Sequence, residues 1–180
     1  ILPAADPGAQ AIGCKCYTVS PDGVRFWVMI YGERGEIRAI MEGEHLSTMR
    51  TGAASGIATK YMAREESSTV GILGTGYQAP SQLEAVCAVR PIKHVKAFSR
   101  TRQYLEEFCT RMSKTLGLPV EPVESAEKAV RDVDILITIT SSQTPVMKGE
   151  WLREGTHLNL AGAMKPSAVA IQSGSRTPTI

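Results

Sequence analysis

The sequence has little that would tie it to a membrane, a nucleic acid or a metal. No apolar run in its 180 residues approaches the ~18 needed to cross a bilayer. Lys+Arg 20 against Asp+Glu 18 leaves a net charge of +2 with no basic block, which excludes the electrostatic footprint of a nucleic-acid binder. Its four cysteines, Cys14, Cys16, Cys87 and Cys109, follow neither a zinc nor a disulfide framework, and they read as reduced core thiols of a cytoplasmic protein. His45, His94 and His157 lie too far apart for metal-ligand spacing, so no metal site is expected. There is no G-x-S-x-G elbow and no P-loop. The chain opens Ile1-Leu2-Pro3-Ala4 without an initiator Met, a basic n-region or an apolar leader, which reads as a start inside a longer protein.

What is present is ordinary globular composition: 43% hydrophobic, 21% charged, 16 Gly and 10 Pro. Residues 1–10 read as a connector. An antiparallel meander is expected next, with strands over 12–19, 24–31 and 36–41. The turns between them are Ser20-Pro21-Asp22-Gly23 and Gly32-Glu33-Arg34-Gly35. A Pro-free helix over 48–66, capped by Ser47 or Thr48, carries Gly52, Ala53, Ala54, Ser55, Gly56 and Ala58. Two interior glycines cost about 1 kcal/mol each against Ala, which predicts close approach of another backbone. This helix is read as a spine between two lobes.

From Ser67 the pattern changes to strands at 69–73, 94–98, 119–123, 134–139 and 156–161, with helices at 81–89, 104–116 and 125–130 between them. That alternation predicts a parallel sheet covered on both faces.

The sharpest local feature is Gly74-Thr75-Gly76-Tyr77-Gln78-Ala79, a G-x-G-x-x-A run between an apolar strand and a helix. Gly74 permits the tight turn, Gly76 lets a pyrophosphate approach the backbone, and Ala79 lets the helix pack closely. The helix N-terminus then offers N–H groups and a positive dipole end to phosphate. The competing reading is a tight glycine turn with no ligand. After the second strand of this half the chain reads Phe98-Ser99-Arg100-Thr101-Arg102, with no acid for a ribose hydroxyl and two guanidinium groups instead. This points to the 2′-phosphate of NADP, with NAD possible; the bland alternative is a solvated loop. Thr138, Thr140, Ser141 and Ser142 close the fourth strand, where they line a nicotinamide edge or simply form a turn.

Two cations lie in the first half. Lys15 sits mid-strand between Cys14 and Cys16. Arg50 falls in the first turn of the small-residue helix, where a cation opposes the dipole unless an anion is bound. Together they suit a carboxylate clamp, against a solvated strand and helix end as the alternative.

Three stretches in order, Leu46-Ser47-Thr48-Met49-Arg50-Thr51-Gly52-Ala53-Ala54-Ser55, the run from Val70 to Ala79, and Gly155-Thr156-His157-Leu158-Asn159-Leu160-Ala161-Gly162-Ala163, resemble the ornithine cyclodeaminase/mu-crystallin family. The resemblance covers residues 1–166. It implies an α/β protein with a Rossmann-type doubly wound parallel sheet (67–166) and part of an α+β substrate and dimerisation lobe (1–66), followed by a non-family tail (167–180). It implies a homodimer of the full-length protein and hydride transfer between a nicotinamide and the α-carbon of an imino or amino acid. Lys15 matches the family's substrate-binding lysine and Arg50 its carboxylate-binding arginine. Gly76 to Ala79, Thr140, and Leu158, Asn159, Leu160 and Ala161 match cofactor-contacting positions, and the segment after the second strand resembles that of the NADPH-using reductases.

The departures from the family matter too. Met164 stands where ornithine cyclodeaminases carry an Asp needed for deamination and cyclisation, and a thioether does no acid–base work. That favours imine reduction or amino-acid oxidation over ornithine cyclisation; a non-catalytic nucleotide-binding protein is the rival from another class. The loop between the first two strands is shorter than in the cyclodeaminase, removing a cofactor-contacting Thr, and the family's N-terminal segment, with a further substrate-binding arginine, is not seen. Because family likeness stops after Pro166, a truncated or frame-shifted product is expected. Such a product would have an open sheet edge, an uncovered apolar face, marginal stability and weak activity.

Overall fold

The computed structural model describes residues 2–20, 23–162 and 171–172. The centre of the Ser20 to Gly23 turn, Met164 and most of the tail lie outside the described residues. Two compact units separate inside one helix, residues 1–50 and residues 51–180.

The first unit is a four-stranded antiparallel meander, β1 (Leu2–Asp6), β2 (Ala11–Ser20), β3 (Gly23–Gly32) and β4 (Ile37–Glu42), paired in chain order. The expected connector is therefore a strand. Asp6 makes the difference: its carboxylate accepts the N–H groups of Gly8 (2.9 Å) and Ala9 (3.1 Å). That local turn folds Leu2 back onto Lys15 in an antiparallel hairpin.

Helix α1 runs from Glu44 to Met62 and starts earlier than the Ser47 or Thr48 cap anticipated. Gly43 N–H donates to the Phe26 carbonyl (2.8 Å), and the Glu44 carboxylate accepts the Phe26 N–H (3.3 Å). An acid in the first turn and an anchored residue before it set the start; Ser47, only 2% exposed, is interior. The glycines of α1 are explained by contact. A Cβ on Gly52 would strike the Ser81 carbonyl, and one on Gly56 would lie 3.1 Å from the Ala85 Cβ. The expected close backbone approach is to helix α2 (Ala79–Val89).

The second unit is built on parallel strands β5 (Thr69–Leu73), β6 (His94–Phe98), β7 (Val120–Pro122), β8 (Ile135–Thr138) and β10 (His157–Leu160), ordered β10-β8-β5-β6-β7. Helix α3 (Arg102–Leu116) ends where Gly117 takes a φ of 66°, and α4 (Ala126–Val130) starts at Ser125, whose hydroxyl accepts the Lys128 N–H. On one face Val70, Ile72, Ile135 and Ile137 pack with Leu83, Val86, Leu105 and Phe108 of α2 and α3. On the other, Leu73 and Leu136 pack with Ala129, Val130 and Val133. Both faces are covered, so β5 and β8 read as continuous apolar runs rather than alternating ones. A short strand β9 (Met147–Lys148) pairs in parallel with β11 (Ile171–Gln172). Among the described residues no helix is long and apolar enough to cross a membrane.

One ionic hub ties the amino ends of these elements together. Asp134 accepts Arg64 Nη2 (2.7 Å), Arg153 Nη2 (2.5 Å), the N–H groups of Ser68 (2.9 Å) and Thr69 (3.0 Å), and the Thr69 hydroxyl (2.8 Å). Arg90 adds a second clamp, donating to the carbonyls of Lys60 (2.7 Å), Ala63 (2.8 Å) and Arg64 (2.9 Å) at the end of α1. Burial alone would raise the Asp134 carboxyl, but the donors from Ser68 and Thr69 and the charge of Arg153 outweigh it and hold it at about 2 against an ordinary 3.8. A carboxylate depressed by folding stabilises fully above its unfolded value and loses that contribution as pH falls through the folded one. The contribution is on the order of 2 kcal/mol. Asp134→Asn is expected to lower stability by roughly that amount at neutral pH in urea titrations. The gap from the parent should shrink as pH is lowered from 4 toward 2; a gap that does not change with pH would show the carboxylate charge to be irrelevant.

Candidate active site

The strand order reverses between β5 and β8, and the cleft lies at the carboxyl ends of these strands, where open α/β sheets bind ligands. Gly74 turns the chain with φ 102°, its N–H donating to the Phe98 carbonyl (2.9 Å). A Cβ here would collide with the Ile139 carbonyl, so the fold itself demands glycine. Gly76 differs: its φ is not in the left-handed region, and a Cβ on it would meet nothing within 4 Å. No protein atom requires its bare backbone. The chain then enters α2 at fully buried Ala79, whose N–H donates to the Gly76 carbonyl (3.0 Å), with Pro80 in the first turn.

The cleft beside this turn encloses about 370 Å³. It gathers Gly74, Thr75, Gly76, Ser99, Arg100, Thr140 and Ser141 from the positions expected in the sequence, with Ser142 beside them. Other expected positions lie elsewhere. Tyr77 is 66% exposed, and Gln78 and Ala79 follow the turn outside the cleft lining. Thr101 is the residue that precedes α3. Thr138 is buried within β8. Leu158 packs into the core on the α4 side and Leu160 is half-exposed. Asn159 is buried and its Nδ2 donates to Thr59 Oγ1 of α1 (2.9 Å). The Ala161 N–H donates to the Thr138 carbonyl (2.9 Å), which holds the end of β10 in register.

Of the two guanidinium groups after β6, only Arg100 lines the cleft. Arg102 is paired with Glu106 one turn along α3 (2.6 Å) and is not part of the cleft lining. The far wall, Thr144, Pro145 and Val146 with Ala126, was not anticipated. The cue was available in Ser141-Ser142-Gln143-Thr144-Pro145, a turn cluster directly after a strand, where Ser142 Oγ now donates to the Thr144 carbonyl (2.8 Å).

Lys15 and Arg50 line a second, largely apolar cleft within residues 1–50, together with Leu2, Val28, Ile30, Leu46 and Ser47. Lys15 is half-buried. Its Nζ donates to Ser47 Oγ (3.1 Å) and lies 5.0 Å from the centroid of the Phe26 ring. Burial pushes this amine below the ordinary lysine range, and the charge of Arg50 pushes it the same way. Because α1 begins at Glu44, Arg50 stands in the second turn and not the first, so the dipole argument for an anion there weakens; the shared cleft is the better reason. The thiols also divide. Cys109 is buried and Cys87 packs against the core, and burial raises both to about 11. Cys14 and Cys16 are half-buried on β2, outside the buried core clusters. Among the described residues no group of three His, Cys, Asp or Glu is placed to hold a metal.

A five-stranded parallel sheet in this order, with a glycine turn at its switch point, is the Rossmann-type dinucleotide fold. The chain belongs to the ornithine cyclodeaminase/mu-crystallin family, which it matches over residues 1–173, a few residues past the point where motif likeness was read to stop. It is 37% identical to a Delta(1)-pyrroline-2-carboxylate reductase of Bacillus cereus over 96% of this chain and 55% of that protein. The structure of Thermococcus litoralis Delta(1)-pyrroline-2-carboxylate reductase in complex with NADH and L-proline superposes with a TM-score of 0.80 at 40% identity, covering 84% of this chain and 49% of that one. An archaeal alanine dehydrogenase dimer with bound NAD gives 0.84 at 35% identity, over 91% and 52%. The chain spans about half the length of these relatives.

The two glycines of the turn make separable predictions. Gly74→Ala must strain φ and push on Ile139, so thermal melts should show a loss of more than about 2 kcal/mol. Gly76→Ala should melt with the parent yet bind dinucleotide at least about tenfold more weakly, since its new methyl occupies the space a diphosphate needs. Parent-like binding by Gly76→Ala would mean that this backbone meets no ligand.

Proposed function

We propose that this chain carries the cofactor and substrate sites of an NADP-dependent oxidoreductase that moves hydride to or from the α-carbon of an imino or amino acid, with a cyclic imino acid of the pyrroline-2-carboxylate type as substrate. The observation that carries this reading is the bare backbone of Gly76, open to the cleft with no structural reason for glycine, one strand from Ser99 and Arg100. The cleft fits a dinucleotide: the turn suits a diphosphate, and the end of β6 offers a hydroxyl and a guanidinium without any carboxylate. The absence of an acid there favours the 2′-phosphate of NADP over the bare ribose of NAD, which is the alternative cofactor. When bound, the nicotinamide supplies or accepts the hydride.

The chain's own residues do the rest. Arg50 pairs with the substrate carboxylate, and Lys15 lies in the same cleft. Because its amine is below the ordinary range, Lys15 exchanges a proton with the substrate nitrogen more readily than a solvated lysine would. Thr140 and Ser141 border the nicotinamide end, while Thr138 and the segment from Leu158 to Ala161 hold the strand ends that carry them. Residues 1–66 form the substrate lobe and 67–166 the nucleotide domain of a cytoplasmic protein, homodimeric at full length; family membership and the dimeric archaeal alanine dehydrogenase support that assembly.

Titration of the chain with NADPH and with NADH, followed by nicotinamide fluorescence, should show tighter binding of NADPH, and Arg100→Ala should cut that preference about tenfold or more. Tighter binding of NADH by the parent would reverse the assignment of the β6 end.

A further inference from the structure

The mechanism above uses Lys15 as a proton carrier, yet its surroundings suit an amine that attacks carbon. Four features coincide. Lys15 is a half-buried residue lining a cleft whose walls are chiefly apolar. Its ε-nitrogen is tethered rather than free, by Ser47 Oγ at 3.1 Å, and it sits at the Phe26 ring. The charged groups lining the cleft with it are Arg50 from α1 and Asp6 at the end of β1. Asp6 spends its carboxylate on the N–H groups of Gly8 and Ala9, so it is a turn anchor and not the partner of Lys15. A lysine in apolar surroundings with another cation for a neighbour is the environment in which an amine becomes a nucleophile at neutral pH. The shift already noted, downward from burial and from Arg50, has the matching sign.

We infer that Lys15 is a carbonyl-capturing amine, which condenses reversibly with the ketone of a 2-oxo acid whose carboxylate is held by Arg50. The nitrogen lone pair attacks C2, the carbonyl π pair moves to oxygen, and the oxygen takes up a proton to give a carbinolamine. The C–O bond then breaks, the oxygen leaves as water with both amine hydrogens accounted for, and a C=N bond joins lysine to the oxo acid. Nothing is oxidised or reduced. A 2-oxo acid has the same carboxylate next to an sp² carbon as a cyclic imino acid, so one clamp serves both; the inference rests on the reading of Lys15 and Arg50 as that clamp. Capture would make open-chain oxo acids reversible covalent ligands that compete for the substrate cleft.

The test is reductive trapping. The chain is incubated with pyruvate and sodium cyanoborohydride at neutral pH, digested, and each lysine peptide is followed by mass spectrometry. The Lys15 peptide is expected to gain one carboxyethyl group at least about tenfold faster than the peptides of exposed Lys60 and Lys93. Arg50→Met should raise the pyruvate concentration needed about tenfold while Lys60 and Lys93 react as before. Acetone, which has no carboxylate, should label Lys15 poorly. Lys15→Arg should fold by circular dichroism and give no fast-labelled peptide. Uniform labelling of all lysines overturns the inference, as does fast Lys15 labelling that acetone matches and Arg50→Met leaves unchanged. The oxidoreductase reading is judged separately by the nucleotide titrations: selective Lys15 capture with binding of neither NADPH nor NADH sustains the inference and sinks that reading, and nucleotide binding without selective capture does the opposite.

Discussion

The closeness of two backbones at Gly74 and Ile139 governs the nucleotide half of this protein. Strand β5 ends there, and the chain must reverse direction into α2 while still touching the end of β8. A left-handed φ and a missing side chain are the only way to do both. The cleft, the entry of α2 over the sheet and the position of Thr140 all follow from that contact. Gly76 carries no such constraint, since a Cβ there would meet nothing within 4 Å.

The polar clamp and the open cleft are placed at opposite ends of the parallel sheet. At the amino ends, Asp134, Arg64 and Arg153 and the three carbonyls held by Arg90 form a dense polar clamp with little accessible surface around the carboxylate. At the carboxyl ends the residues are hydroxyls, glycines and one arginine facing open space. The clamp fixes strand positions without obstructing the cleft. Burial of Asp134 would be costly on its own, and becomes favourable because five donors converge on it. The Thr59–Asn159 hydrogen bond does the same work further along, joining α1 to the last described strand of the sheet.

In residues 1–50 the governing effect is desolvation. Lys15 is on a strand whose neighbours shield its stem, and α1 brings Ser47 and Arg50 to the same cleft. An ammonium loses hydration there, and the charge of Arg50 acts on it in the same direction. The surroundings of Lys15 thus differ from those of Lys60 and Lys93 on the surface, although nothing in the amino acid itself distinguishes them.

Much of this was legible in the chain. The alternation of apolar runs with helical segments gave the parallel sheet, because strands buried on both faces must be continuously apolar. The glycine turn and the small-residue helix could be read because glycine in those places has few physical explanations. The hairpin of β1 and the early start of α1 were missed: each depends on one carboxylate, Asp6 or Glu44, finding backbone donors, and such local bonds leave a faint trace in composition. The pairing of Arg102 with Glu106 follows from their spacing of four along α3. Sequence by itself determined the family, the sheet, the glycine turn and the two candidate cations. Tertiary structure alone decided which guanidinium reaches the cleft, which glycine is structural, and that Asp134, Arg64 and Arg90 form the anchor. Those outcomes depend on distances between residues up to 70 positions apart, and burial and pairing energies exist only once the chain has brought such residues together.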